Sequence, residues 1–317
     1  MTAFVPKISV SVVVPVYNSE GSLPVLISAL EPVLSSNCSA YEVILVDDGS
    51  RDSSATVIDS LSREKPWVRG ISLMRNYGQH NALLCGIRSA RFKVIITMDD
   101  DLQNPPDEIP RLLTKLAEGY DVVYGTPEYE QHGLFRNLAS QITKLTLQNA
   151  LGAETARRVS AFRAFRTEVR NAFDTYRSPF VSIDVLLTWG TSRFAALPVR
   201  HETRRIGSSQ YTLGKLLVHT ANMMTGFSTL PLQVASLVGF VFTLFGFGVL
   251  VFVLGSYVIR GASVTGFPFL ASIIALFSGA QLFALGIVGE YVARIHFRTM
   301  ERPTYVPRPS ADTGPGR

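Results

Sequence analysis

Two stretches of this chain are too apolar for water and too long for a small soluble core, and they constrain everything else. From Thr220 to Ile259 the only ionisable side chain is Tyr257, and from Gly261 to Gly289 there is none. Each exceeds the ~20 residues that a helix needs to cross the hydrocarbon of a bilayer. Buried helices of soluble proteins rarely run so far without a charge. Only Arg260 and the segment GASVTGF separate the two, so a helical hairpin is expected. Lys215, Arg204 and Arg205 precede the first span and Arg294, Arg298 and Arg302 follow the second, against a lone Arg260 between them. That asymmetry predicts both termini on the cytoplasmic side of a cell inner membrane. The N-terminal MTAFVPKISVSVVVPVYN reads as strand and turn, not as a cleavable leader.

The rest of the chain is organised differently. Over the first ~130 residues, apolar runs alternate with amphipathic segments of helical length. Ile8–Pro15, Tyr41–Val46, Val68–Leu73, Phe92–Met98 and Val122–Tyr124 read as strands. Ser22–Ser35, Ser53–Arg63, Asn81–Ala90 and Glu108–Glu118 read as helices between them. This order predicts an α/β domain with a mostly parallel sheet covered on both faces. Ligands of such sheets bind beyond the carboxyl ends of the strands, which here means the loops PVYNSEGS, DDGSRDSS and DDDLQNPP.

The last of these concentrates chemistry. ITMDDDLQNPP is a strand that delivers Asp99, Asp100 and Asp101 into a turn closed by two prolines. On an extended backbone Asp99 and Asp101 project to the same side. Two hard oxygen ligands suit Mg²⁺ or Mn²⁺, whose remaining ligands would be water and substrate phosphate. A solvated acidic turn is the competing reading of three aspartates alone. In VDDGSRD, Asp47 and Asp48 again end a strand, where a carboxylate accepts hydrogen bonds from a nucleobase or ribose. The Asp48-Gly49-Ser50 run equally fits a turn and helix cap. Tyr17, on the neighbouring loop with Pro15 and Asn18, is placed to stack on a base. No GxGxxG follows any strand, which argues against a dinucleotide-binding dehydrogenase.

A net charge of +5 suits an anionic membrane surface and phosphate-bearing ligands, and is too small and unpatterned to argue for nucleic acid. Cys38 and Cys85 have no Cys or His at ligand spacing, so two free thiols and no zinc site are expected.

SVVVPVYN, EVILVDDGSRD, RNYGQHNALLCGI, TMDDDLQNPPDEIPRL, SAFRAF, RRIGSSQYT and GEYVARIHFRTMERPTYV occur in this order along nearly the whole chain. In that order the chain resembles family 2 glycosyltransferases that load sugars onto polyprenyl phosphate. It is similar in character to bactoprenol glucosyltransferases and undecaprenyl-phosphate 4-deoxy-4-formamido-L-arabinose transferases, and more distantly to dolichol-phosphate mannose synthases. The resemblance implies a GT-A fold, a UDP-sugar donor with UDP-glucose first, a divalent metal, inversion at the anomeric carbon and a homotetramer. It implies nucleotide-sugar contacts from Pro15, Tyr17, Glu20, Asp47, Asp48, Gly78, Asp99, Asp100, Gln103, Arg204 and Arg205. Asp99, Asp101 and Gln103 would hold or orient the metal, and Asp99, Asp101, Arg163 and Arg204 would carry catalysis, with both arginines facing phosphate. The pattern departs at Ser19, where relatives often have Glu and this chain supplies Glu20 one position later. It departs again at Gln210 in place of Lys, at Asp100 in place of a small residue, and at Arg157 and Arg158 where relatives carry an aspartate.

The expected organisation is a GT-A domain over 1–212 with an interfacial helix at 134–151. An amphipathic juxtamembrane helix at 213–229, spans at 230–259 and 267–289, and a cytoplasmic tail at 290–317 follow. In Leu213–Thr225, Leu213, Leu216, Leu217, Ala221 and Met224 fall at helical spacing. Amphipathicity alone does not separate protein from lipid as their partner, and adjacency to the hairpin favours lipid. His80 and His132 stand without a partner in sequence and receive no catalytic role. A processive polysaccharide synthase is disfavoured because no Q-x-x-R-W motif occurs. The non-enzymatic alternative is a membrane scaffold or sugar-lipid translocation partner built on a degenerate transferase domain.

Overall fold

The computed structural model describes residues 7–127, 159–178, 180–202, 230–260 and 267–309. The segments 134–151 and 213–229, and with them Arg204 and Arg205, lie outside the described residues. The chain forms two compact units: a sheet domain that includes residues 301–309, and a pair of long helices.

The sheet domain begins with strands β1 (Ile8–Val16), β2 (Cys38–Asp47), β3 (Val68–Ser72) and β4 (Val94–Thr97), linked by helices α1 (Leu23–Asn37), α2 (Ser54–Glu64) and α3 (Gln79–Ser89). There follow a 3₁₀ turn at Pro106–Glu108, then α4 (Ile109–Ala117), β5 (Val122–Pro127), β6 (Arg163–Arg166), α5 (Ile183–Gly190) and β7 (Phe194–Val199). The sheet runs β3-β2-β1-β4-β6-β5-β7. Among the described strands only β6 is antiparallel, lying between β4 and β5.

The strands read as unbroken apolar runs because both faces are covered. Val10, Val12 and Val14 of β1 pack with Leu26, Ile27 and Leu30 of α1 and with Leu112 of α4 in one core. On the other face Val13 meets α3, where a Cβ on Gly86 would lie 2.3 Å from the Val13 side chain. Each such fully buried aliphatic side chain stabilises the fold by roughly 1.5–3 kcal/mol.

Pro15 shows where the sheet opens. The β1–β4 pairing stops at Val13 opposite Thr97, whereas β1–β2 continues through Pro15 to Val16. Proline has no N–H to donate, so it is tolerated beyond the point where β4 stops pairing. Because the chain leaves β1 towards β2 while β4 lies on the opposite flank, a crevice forms between their carboxyl ends.

In the second unit, α6 (Leu230–Arg260) and α7 (Phe267–Thr299) pack through Phe277. Its ring centroid lies 5.6 Å from Phe242 and 6.4 Å from Phe245. Gly246 admits that ring, since a Cβ there would come within 2.9 Å of it. Leu232–Ser256 and Leu276–Phe297 are long and apolar enough to cross a membrane, and apart from Ala235 their described side chains are not buried by protein. Within the second of these stretches Glu290 and Arg294 pair one turn apart at 2.8 Å.

Candidate active site

The loops after β1 and β2 are stitched together by side chains. Asn18, at φ 54°, receives a backbone hydrogen bond from Arg51 on its Oδ1 at 2.8 Å, and its own N–H donates to Ser50 Oγ at 3.0 Å. Glu20 accepts from the Ser53 N–H at 2.8 Å, and Asp52 accepts from the Glu20 N–H at 3.2 Å. Burial opposes ionisation of Asp52, yet hydrogen bonds from Ser54 and Glu20 outweigh it and hold the carboxyl below its ordinary value. Asp47, buried at the end of β2, accepts from the Ser50 N–H at 3.0 Å. Pro15 is buried in β1, while Tyr17 is half-buried at the crevice.

Asp48 turns away from this pair of loops. Its two oxygens accept the N–H groups of Tyr77 at 2.7 Å and Gly78 at 2.8 Å, fixing the loop between β3 and α3. Burial raises its pKa against those hydrogen bonds, and the neighbouring Asp47 charge adds to the rise. The carboxylate expected to contact nucleotide is thus engaged in holding protein backbone. Gly78, at φ 97°, is the residue before α3, and its open surroundings make backbone conformation, not crowding, the reason for glycine. Gly49 is required on both counts: φ is +69° and a Cβ would lie 2.7 Å from the Arg75 backbone carbonyl carbon. Gly49→Ala is expected to destabilise the domain by about 2–4 kcal/mol through left-handed strain and overpacking. Thermal unfolding would show it, and an unchanged midpoint would refute the close approach.

The aspartate turn closes the crevice. Asp99 accepts from Gln79 Nε2 at 2.7 Å, and Asp101 accepts from the Gln103 N–H at 3.1 Å. Leu102 takes a positive φ of 60° to make the turn. Asp101 and Asn104 are buried, whereas Asp99 and Asp100 are partly exposed. The Glu202 N–H donates to the Gln103 carbonyl at 2.8 Å, tying the end of β7's extension to this turn. Beneath it, buried Glu108 binds Arg200 at 2.7 Å and Arg111 at 2.5 Å. Burial works against the Glu108 charge, but those two guanidinium groups keep its carboxyl below the usual range.

Among the described residues no three His, Cys, Asp or Glu side chains converge as a preformed cation site. The donor set still fits a hard divalent ion. Two carboxylates on one turn, with Gln103 beside them, leave most of its coordination to water and ligand phosphate.

Arg163 is enclosed within the sheet domain. It lies opposite Thr97 in β6, is 1 % exposed, and pairs with Asp184 of α5. Its Nε donates to Thr97 Oγ1 at 2.9 Å, and the Tyr124 hydroxyl also reaches Asp184 at 3.2 Å. Burial, followed by the Asp184 charge, raises the Tyr124 pKa well above its ordinary value. In this structure the Arg163 guanidinium is enclosed between sheet and α5, with the Asp184 carboxylate as its partner. Asp184, Gln79 and Thr97 were not singled out in the sequence. Gln79 and Thr97 lie inside quoted motifs but without an assigned role, Asp184 lies outside them, and the antiparallel insertion of β6 is what brings Arg163 beside Thr97.

The fold is that of GT-A enzymes. Glucosyl-3-phosphoglycerate synthase from Mycobacterium tuberculosis, solved with Mn²⁺, UDP-glucose and phosphoglyceric acid, superimposes with a TM-score of 0.53 at 18% identity, covering 69% of this chain and 79% of that one. Residues 11–173 match the model of glycosyl transferase family 2. The undecaprenyl-phosphate 4-deoxy-4-formamido-L-arabinose transferase of Shewanella sediminis is 38% identical, covering 93% of this chain and 90% of that protein. The protein of the same name from Yersinia enterocolitica is 36% identical over 93% of this chain and 91% of its own. The chain belongs to glycosyl transferase family 2 and is a glycosyltransferase.

Proposed function

We propose that this protein transfers a sugar from a UDP-sugar to polyprenyl phosphate, with inversion, at the cytoplasmic face of a membrane crossed by α6 and α7. The observation that carries the reading is that the stitched loops after β1 and β2 and the aspartate turn after β4 leave the same carboxyl edge of the sheet, in a chain that also bears two apolar helices. Similarity along nearly the full length to undecaprenyl-phosphate transferases supports the acceptor, and makes 4-deoxy-4-formamido-L-arabinose the first sugar to test. UDP-glucose, first on sequence resemblance, is the second.

In this reading Tyr17 stacks on the base and Asp47 lies at the nucleoside end of the crevice. Asp99 and Asp101 would hold Mg²⁺ or Mn²⁺, which when bound supplies Lewis-acid neutralisation of the departing diphosphate. Gln79 holds Asp99 in place, and the Gln103 N–H does the same for Asp101. An oxygen of polyprenyl phosphate attacks the anomeric carbon, and the bond to the nucleoside diphosphate breaks with its electron pair leaving on the diphosphate. Since the attacking group is already anionic, positioning and charge stabilisation are the main tasks, with no strong base required. Glu202, tied to the aspartate turn, precedes Arg204 by two positions in the chain. Arg204 and Arg205 would then meet the phosphates with planar, bidentate donors.

The test uses the full chain in detergent with undecaprenyl phosphate and radiolabelled UDP-4-deoxy-4-formamido-L-arabinose, UDP-glucose and GDP-mannose. A lipid-linked product from one UDP-sugar, dependent on Mg²⁺ or Mn²⁺, is expected. No product from any donor would overturn the reading and favour the scaffold alternative.

A further inference from the structure

β3 is the edge of the sheet, and an edge strand leaves a row of backbone groups without a neighbour. Here the chain that follows α7 returns and covers it. The Arg308 N–H donates to the Ser72 carbonyl at 2.7 Å, and the Met74 N–H donates to the Val306 carbonyl at 2.9 Å. Leu73 stands opposite Pro307 between them. These are the last residues before the loop Arg75–Gly78, the one held by Asp48.

The same short segment also grips the far side of that loop. The half-buried Tyr305 lies with its ring 5.9 Å from the Arg88 guanidinium, and its hydroxyl is near enough to Arg88 and Cys85 to feel both electrostatically. Both partners belong to α3, the helix that begins where the loop ends. Thr304 beside it is buried. Burial pushes the Cys85 thiol up to about 12 and raises the Tyr305 hydroxyl, so both stay protonated and the contact is constant near neutral pH. Pro303, Pro307 and Pro309 restrict the backbone in advance, which lowers the entropy lost on docking. Protecting an edge needs the two backbone bonds alone; the docking of Tyr305 on α3 goes beyond it.

We propose that Thr304–Arg308 is a strap that positions the donor site, with Tyr305 as its positioning residue acting through the Arg75–Gly78 loop and the first turn of α3. The link to chemistry is Gln79, the first residue of α3, which donates to Asp99. Gripping Ser72–Met74 on one side and Cys85 and Arg88 on the other fixes where Gln79 stands, and so where Asp99 points. The proposal rests on the reading of the aspartate turn as a nucleotide-sugar site.

The test compares Tyr305→Ala, Tyr305→Phe and Arg308→Pro in the full chain. Arg308→Pro removes a single backbone donor and leaves Tyr305 in place. Amide hydrogen exchange in a peptide covering 74–80 is expected to rise about tenfold in Tyr305→Ala and Arg308→Pro, with 43–47 in β2 unchanged. The KM for the UDP-sugar and the concentration of Mg²⁺ giving half activation should rise about tenfold, with kcat within about twofold. Tyr305→Phe, which keeps the ring, should recover most of both effects. Unchanged exchange at 74–80 overturns the strap, as does exchange rising equally in β2, and raised exchange with an unaltered KM overturns its link to the donor. Should the unaltered protein turn over no nucleotide sugar, a local rise at 74–80 still supports the strap's hold on the loop, and the failure belongs to the reading of the site.

Discussion

Asp101→Asn is expected to lower kcat by about a hundred- to a thousandfold, the scale on which one preorganised electrostatic group acts at a developing charge. The substitution separates chemistry from folding. Asp101 is buried and accepts the Gln103 N–H through Oδ1, a bond that an asparagine carbonyl can also accept. Shape and turn are therefore retained while the negative charge that would hold the cation is lost. Thermal unfolding without added metal should change little, and extra Mg²⁺ should recover activity only in part. Wild-type turnover by Asp101→Asn would remove Asp101 from the proposed mechanism. The comparison with Asp99→Asn is informative, because Asp99 is the more exposed and receives the Gln79 amide. Loss there should combine weaker cation binding with a displaced Gln79.

How much of this arrangement was legible in the sequence depends on range. β1 to β4 and the helices between them were readable because each is a local pattern, an apolar run or an amphipathic repeat bounded by turn residues. That the acidic turns follow the carboxyl ends of β2 and β4 was readable for the same reason, since strand ends and turns are adjacent in sequence. β6 was not, because Arg163–Arg166 is four residues long with arginine at both ends and owes its strand conformation to pairing with β4 and β5. The roles of the acids were only half legible. A sequence shows that Glu20, Asp47, Asp48 and Asp101 gather at loops, but not that Asp48 and Glu20 satisfy backbone N–H groups of neighbouring loops. Nor does it show that the tail runs along β3, a contact made by backbone groups that any residue carries.

Arg163 marks the sharpest difference between an enclosed structural charge and a ligand-binding one, and its removal is expected to have the largest effect on stability. Arg163→Ala leaves Asp184 beside the apolar sheet face without its counter-charge, and breaking such a buried pair typically costs about 3–5 kcal/mol. Replacing both partners with apolar residues of similar size leaves no orphaned charge, so it is far less harmful than removing one. Arg163→Met combined with Asp184→Leu should therefore recover at least half of the stability lost in Arg163→Ala, with the Tyr124 hydroxyl as the remaining unsatisfied group. The activity of this double variant discriminates the two roles. An arginine that neutralises Asp184 and braces Thr97 is dispensable once both charges are gone, and kcat should return to within about tenfold of the unaltered protein. An arginine that acts on phosphate is not dispensable, and a variant that regains its fold yet stays a thousandfold slower, on the order expected for a lost transition-state contact, would return Arg163 to the catalytic machinery.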